Sequence, residues 1–476
     1  MESKNNNLKD LIVSGSYTAF IKGDDWGCGV NKILLSLDHK IDQVNNLSFV
    51  VKEKKLTTDY CDTLYPIIES IIYRTVTNVY LVDYSGQITS EPSNFIMIEM
   101  KISPAEGNPL LFSMQTQYNT YNDLYELDIM IADGHEMTSL GQKVKQINIA
   151  KKMKDKITSA DLFEEALYES CDGVSYKYAA YNPVQASDTL VVWLHGLGEG
   201  GTINTDPYIT VLANKVSSLA GQEFQNTIGG ANILVPQCPT FWMDADGNGG
   251  EWNDDLLVTH GPSYYTNALM ELIKDYQSRC GATKVVLAGC SAGGYMTMRL
   301  ILDYPDYFAA AIPICEALPD DVISDQQLSE IKDLPLYFIY SNDDPSIIPE
   351  KFEIPTINRL KNLGATNLHV ATFDSVIDTS GKYNDLNDGD PYQYNGHWSW
   401  IYFDNNECYD ENGVNAWQWL AKQIKTAAPV ETPDQPTTPD QPANSVKTGD
   451  DVNFAGLGAI MMLTLAGIYV SRRKYN

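Results

Sequence analysis

The stretch Lys284-Val-Val-Leu-Ala-Gly-Cys-Ser-Ala-Gly-Gly294 is a β-branched apolar run that ends in a G-x-S-x-G pattern at Gly289-Cys290-Ser291-Ala292-Gly293. A short run this apolar suits a strand of a parallel sheet buried on both faces. Glycines on either side of the serine let the chain turn where any Cβ would clash, leaving the hydroxyl at the tip of a strained strand-to-helix elbow. The continuation agrees: residues 295–304 carry Met296, Leu300 and Ile301 at helical spacing, and Pro305 stops the pattern. The expected fold class around this elbow is α/β, a mostly parallel sheet with helices on both faces, and Ser291 is its candidate nucleophile.

A serine hydroxyl needs a base and an orienting acid, which in such a sheet follow in the order Ser, Asp or Glu, His. Pro335-Leu-Tyr-Phe-Ile-Tyr340 reads as another buried strand and empties into Ser341-Asn-Asp-Asp-Pro345. Asp344 is the candidate acid and Asp343 its rival, and spacing leaves that choice open. Of six histidines, His39, His135 and His260 precede the nucleophile, His195 lies in the loop taken up next, and His369 falls within an apparent strand at 367–373. His397 stands after the acid, in the loop Tyr394-Asn-Gly-His-Trp-Ser-Trp400, and is the candidate general base.

Acyl transfer also needs N–H donors for the oxyanion of its tetrahedral intermediate. Thr189-Leu-Val-Val-Trp-Leu194 reads as the strand that enters the domain, and His195-Gly-Leu-Gly-Glu-Gly-Gly201 after it is small enough to turn backbone amides toward the site. The expected donors are the amides of Leu197 and Ala292, with His195 structural. The loop has neither the G-K-[ST] of a phosphate loop nor G-x-G-x-x-G spacing, which argues against nucleotide binding. With Val235-Pro-Gln-Cys-Pro239, Asn342-Asp-Asp-Pro345 and Gly396-His397, these segments resemble the α/β-hydrolase esterases related to the prolyl oligopeptidase and feruloyl esterase families, over roughly residues 145–426. The resemblance implies Ser291 as nucleophile, His397 as base and then acid, and Asp344 as orienting carboxylate. No metal or organic cofactor is expected.

Upstream the texture changes. Residues 16–131 are a succession of β-prone runs at 17–21, 32–37, 47–51, 75–82, 95–102 and 125–131, separated by turns such as Gly23-Asp-Asp25 and Glu106-Gly-Asn-Pro109, with no helical pattern longer than the 58–71 region. This spacing predicts an immunoglobulin-like β-sandwich over residues 1–135, ahead of a hydrolase domain at 136–426. The segment Gly23-Asp-Asp-Trp-Gly-Cys-Gly29 and its continuation to Asp38 resemble the opening of the immunoglobulin-like domain that precedes the hydrolase in some bacterial esterases. Such a domain binds a partner or polysaccharide, forms subunit contacts or caps the hydrolase. It carries no catalytic residue in this reading, so removing residues 1–135 is expected to spare the chemistry. Trp26 is expected in the core rather than as an exposed sugar platform.

The C-terminal end concerns location. Residues 427–444 form a spacer in which Thr432-Pro-Asp-Gln-Pro436 recurs as Thr438-Pro-Asp-Gln-Pro442. Ser445-Val-Lys-Thr-Gly449, an apolar run at 454–470 and the basic Arg472-Arg-Lys474 follow, and together 445–476 resemble an LPXTG-like cell-wall sorting signal with Ser445-Val446 in place of Leu-Pro. The resemblance implies a secreted, cell-wall anchored protein on a Gram-positive surface, cleaved between Thr448 and Gly449, with sortase and peptidoglycan as partners. A transmembrane tail anchor is the alternative. Residues 1–8 show no export segment, which sorting would require, and the expected explanation is a signal preceding the given start.

With 33 basic and 62 acidic side chains the net charge is −29, which disfavours nucleic acid, anionic lipid and other anionic polymers as partners. Eight scattered cysteines show no C-x-x-C spacing, so a zinc site is not expected and no disulfide pairing is indicated. The substrate readings, in order, are an acyl or hydroxycinnamoyl ester of a polysaccharide, a small-molecule carboxylic ester, and a peptide. A surface binding protein with a vestigial hydrolase is the non-enzyme alternative. Phe241-Trp-Met243, Trp252 and Trp398 to Trp400 suit either an acyl pocket or the core.

Overall fold

The structure is a computed structural model that describes residues 11–201, 204–249, 263–384 and 389–427. The spacer beyond residue 427, the sorting signal with Thr448 and Gly449, the apolar run at 454–470, His260 and Trp252 lie outside the described residues. Among the described residues no helix is long and apolar enough to cross a membrane.

The chain opens with two long antiparallel strands, Leu11–Asp24 and Gly27–Ile41. Strand side chains alternate between faces. Val13, Tyr17, Ala19 and Ile21 therefore point into the main core, while Phe20 joins Leu34, Val82 and Met97 on the opposite face. Ser93–Met100 and Val76–Val82 extend this sheet on one side. A second sheet of Ile67–Tyr73, Phe49–Thr58 and Glu126–Ile131 brings Val51, Leu127 and Ile129 to the same core, which closes a β-sandwich.

Two expectations differ from what is observed here. The 58–71 region is not helical. Ile67–Tyr73 is a strand whose isoleucines pair along Phe49–Thr58, as β-branched residues favour. The sandwich also runs past residue 135: Gln142–Ile149 and Asp155–Thr158 both pair in parallel with Leu11–Asp24, so its sheet continues to Thr158. The period-two signal is weak there because the buried residues of the first of these strands, Val144 and Ile147, are three positions apart across an irregularity in register.

An eight-stranded sheet follows, in the order Glu164–Glu169, Ser175–Tyr181, Asn232–Gln237, Thr189–Leu194, Lys284–Cys290, Ala310–Ile314, Leu336–Ser341 and Leu368–Phe373. The first two strands join it antiparallel and the rest are parallel. Alternate residues of each strand serve opposite layers. Leu190, Val192 and Leu194 pack with Leu269, Met296 and Leu360 from the helices Thr266–Cys280, Ala292–Asp303 and Glu353–Asn362. Val191 and Trp193 pack with Phe224, Trp417 and Leu420 from Gln222–Ile228 and Ala416–Thr426. This second layer shares one continuous core with the sandwich, so the two domains are fused through buried apolar surface. Trp26, 8% exposed, belongs to that core and meets Tyr383 of the hydrolase edge to face at 6.2 Å.

Candidate active site

Ligands of parallel α/β sheets bind beyond the carboxyl ends of the strands. The three loops that matter here all leave such ends: Thr189–Leu194 into His195–Gly201, Lys284–Cys290 into Ser291, and Leu336–Ser341 into Asp344.

Ser291 has φ 57° and ψ −118°, in the left-handed range that a residue with a side chain rarely adopts. It is held there by its N–H donating to Ile314 O at 2.9 Å and by its carbonyl accepting from Tyr295 N at 2.9 Å. The glycines explain how so sharp a turn fits. A Cβ on Gly289 would lie 2.5 Å from Gly293 O, and one on Gly293 would strike the Leu194 carbonyl. The helix Ala292–Asp303 starts immediately, so the Ala292 amide has no intrahelical acceptor and is free to act as a donor.

His397 Nε2 lies 2.9 Å from Ser291 Oγ, and its Nδ1 lies 2.7 Å from Asp344 Oδ2. Asp344 Oδ1 accepts from the amides of Ser346 and Ile347 at 2.8 and 2.9 Å, which fixes the carboxylate. Asp343 turns away, accepting from Ser341 Oγ at 2.6 Å. The structure thus brings Ser291, His397 and Asp344 together and leaves Asp343 out. Gly396 makes the approach possible, since a Cβ there would lie 2.7 Å from the Asp343 carbonyl carbon. Asn395 Oδ1 accepts from His397 N at 2.9 Å and Trp400 stands edge-on to the imidazole. Of the other described histidines, His195 belongs to the oxyanion loop, and His369 lies away from the site, paired with Asp410 and stacked on Tyr337.

On the other side of the nucleophile, Leu197 opens a short 3-10 turn, Leu197–Glu199, so its amide has no acceptor within that turn. His195 braces the loop from below. Its Nδ1–H donates to Gly196 O at 2.6 Å, its Nε2 accepts from Cys238 N at 2.9 Å, and its carbonyl accepts from Trp242 Nε1 at 3.0 Å. Burial lowers its pKa to about 4, which keeps it neutral and structural. Trp242, Phe241, Met243 and Trp400 are core residues, whereas Trp398 beside His397 is half-buried.

Sequence reasoning passed over several buried carboxyls. Glu199, inside the glycine-rich loop, is 4% exposed, and burial raises its pKa to about 7 against the opposing pull of Asn119. A lone charged residue in a loop otherwise made of small and apolar residues was the available signal. Glu316 and Glu353 lie beneath the site; burial raises Glu316 to about 8 and pushes Glu353 up as well. Asn119, a sandwich residue that reaches Glu199, gave no sequence signal. As for metals, Cys315, Asp344 and His397 are the one such donor set among the described residues, but Asp344 and His397 bond each other and burial holds the Cys315 thiol protonated. That set fits an acid–base pair better than an ion.

Comparison with known proteins agrees with this architecture. Residues 16–161 match the family described as the esterase Ig-like N-terminal domain. The probable carboxylesterase SOBER1-like protein of Arabidopsis thaliana is 25% identical over 190 residues, covering 37% of this chain and 68% of that protein. A thermostable esterase of known structure superposes with a TM-score of 0.63 at 22% identity, over 82% of this chain and 96% of its own. An esterase-type immunoglobulin-like domain at residues 16–161 is thus joined to an α/β-hydrolase fold, and a carboxylesterase and a thermostable esterase are among the proteins this chain is similar to.

Proposed function

We propose that the chain hydrolyses carboxylic esters through an acyl-enzyme on Ser291, with His397 as proton carrier and Asp344 as its orienting carboxylate. The observation that carries this reading is the hydrogen-bond chain from Asp344 through His397 to Ser291 Oγ, 2.7 and 2.9 Å in its two links. His397 Nε2 takes the hydroxyl proton as Oγ bonds to the ester carbonyl carbon, and the π pair moves onto the carbonyl oxygen. The amides of Leu197 and Ala292 receive that oxyanion; one such donor is worth about 10²- to 10³-fold in kcat in serine hydrolases. Collapse expels the alkoxide, which takes the proton from His397. Water then repeats the sequence on the acyl group, while Asp344 steadies the imidazolium without accepting its proton.

The substrates we propose are neutral acyl or hydroxycinnamoyl esters of polysaccharides, met at a cell surface. The net charge of −29 disfavours anionic substrates, and the sequence from 427 to 476, with its spacer, apolar run and basic end, supports anchoring through Thr448. Assay of the full chain and of Ser291→Ala on p-nitrophenyl acyl esters and methyl hydroxycinnamates tests the chemistry. Turnover that disappears in the variant is expected; equal turnover by both, or none by folded wild type, sinks the reading. For the anchor, muramidase digestion of whole cells should release a product ending at Thr448 by mass spectrometry. A product retaining residues 449–476 rules it out.

A further inference from the structure

We propose that Asn119, from the N-terminal domain, is a positioning residue for the oxyanion loop and acts through Glu199. The inference rests on the esterase reading and deepens it. The sandwich sends out a small hairpin of Leu110–Phe112 and Asn119–Tyr121 that lies on the loop at His195–Gly201. Asn119 Nδ2 donates to Glu199 Oε1 at 3.0 Å, and the Asn119 carbonyl accepts from Asn204 Nδ2 at 2.6 Å. Contact is close: a Cβ on Gly198 would lie 2.8 Å from Asn119 Nδ2, and one on Gly200 would lie 2.7 Å from Tyr118 Cε1.

The Glu199 carboxyl faces both ways. One oxygen receives Asn119; the other lies 3.4 Å from the Cβ position of Gly196, and the amides of Gly196 and of Glu199 itself favour its ionised form. Gly196 in turn stands against the nucleophile, its Cβ position 3.8 Å from Ser291 Cβ. Leu197, the candidate oxyanion donor, lies between the two loop residues that this carboxyl braces. Glycine occupies positions 196, 198, 200 and 201, so the loop loses much backbone entropy on ordering and its own sequence supplies little rigidity. An N–H donor stabilises the transition state only where it meets the developing oxyanion, so a brace from outside the loop bears directly on rate.

The test uses the full chain. Asn119→Ala is expected to lower kcat on p-nitrophenyl butyrate by about 10- to 100-fold with KM within about twofold, the signature of an interaction made in the transition state. The inhibition constant of a trifluoromethyl ketone, which adds Ser291 Oγ to its carbonyl and places an oxyanion at this loop, should rise by the same factor. Asn119→Asp sets two carboxyls against each other and should lose more; combined with Glu199→Gln, donor and acceptor exchange sides and activity should return to within about threefold of wild type. Unchanged kcat and inhibition in Asn119→Ala overturns the proposal. So does a loss that follows the melting temperature and is not rescued by the exchange. If Asn119→Ala does not fold, the same measurements on Asn119→Asp with and without Glu199→Gln decide the matter. Wild-type turnover that depends on Ser291 tests the esterase reading separately, so the two can fail independently.

Discussion

The two loops that meet at Ser291 are built on different principles. The elbow is held by its neighbours in the same sheet: Gly289 against Gly293, Gly293 against Leu194, and the Ser291 amide on Ile314. The oxyanion loop is held partly from its own domain, by His195 on Cys238 and Gly201 N on Cys238 O, and partly by Asn119, 80 residues upstream in another domain. A strained nucleophile can be fixed by local chemistry. A donor loop rich in glycine takes its rigidity from whatever packs on it, here the sandwich. The sandwich therefore forms part of the site's wall, and removing residues 1–135 would take Asn119 away from the oxyanion loop.

Changes at the elbow and its partners should be the most severe. Ser291→Ala should reduce kcat by about 10⁶-fold, the scale found for an unrelated serine hydrolase, with the melting temperature little changed. Asp344→Asn should cost about 10⁴-fold, because an amide facing His397 Nδ1 selects the wrong tautomer. Asp343→Asn, one residue away, should stay within about threefold, since among the described residues the Asp343 carboxylate bonds Ser341 and Gln393 and not His397. Equal losses at the two aspartates, read from steady-state kinetics, would overturn the assignment of Asp344. Gly396→Ala should fall between, at about 10²-fold, since its methyl meets the Asp343 backbone and must push the His397 loop off its partner. Full activity in that variant would mean that the two loops yield more readily than their packing indicates.

The same contrast explains what could be read from the sequence. Ser291 and His397 were legible because strand, elbow and loop order are written in contiguous residues, and Asp344 was narrowed to one of two neighbours. Choosing between Asp343 and Asp344 needed the direction in which each carboxyl leaves the chain, which adjacent positions in a loop do not encode. The α/β sheet announced itself through apolar runs such as Thr189–Leu194, buried along their whole length. The limit of the sandwich was hidden because Gln142–Ile149 buries only Val144 and Ile147. Asn119 and Glu199 were invisible as a pair, since each owes its role to a partner in the other domain. The Gly23-Asp-Asp-Trp26 turn was conspicuous as a motif, yet its use emerges only in three dimensions. Asp25 meets Lys215 at 3.2 Å and Asn405 at 3.0 Å, and Tyr383 OH reaches Asp24 at 3.4 Å, all across the seam between the domains.

That second tie gives the smallest predicted effect and the sharpest control on the first. Asp404 is 2% exposed, with Lys215, Asp25 and the Ser218 hydroxyl as its polar neighbours. Burial raises its pKa to about 8, with Lys215 pulling down and Asp25 pushing up. In the unfolded chain the same carboxyl titrates near about 4. Between these values the native state holds a proton that the unfolded state has released, so stability is greatest below about pH 4 and declines as pH rises toward 8, by up to about 1.4 kcal/mol per pH unit from this group. Asp404→Asn removes that slope. Urea denaturation should show the variant and wild type converging below about pH 4, with the variant the more stable at pH 8 to 9; parallel curves would mean that Asp404 stays ionised in the fold. Glu199 and Glu316 carry the same sign and keep a residual slope in both proteins. Because Asp404 touches the seam but not the oxyanion loop, kcat on p-nitrophenyl butyrate at pH 7 should stay within about twofold of wild type. A larger fall would show that the seam acts on the site as one unit, and that Asn119 is only its nearest point of contact.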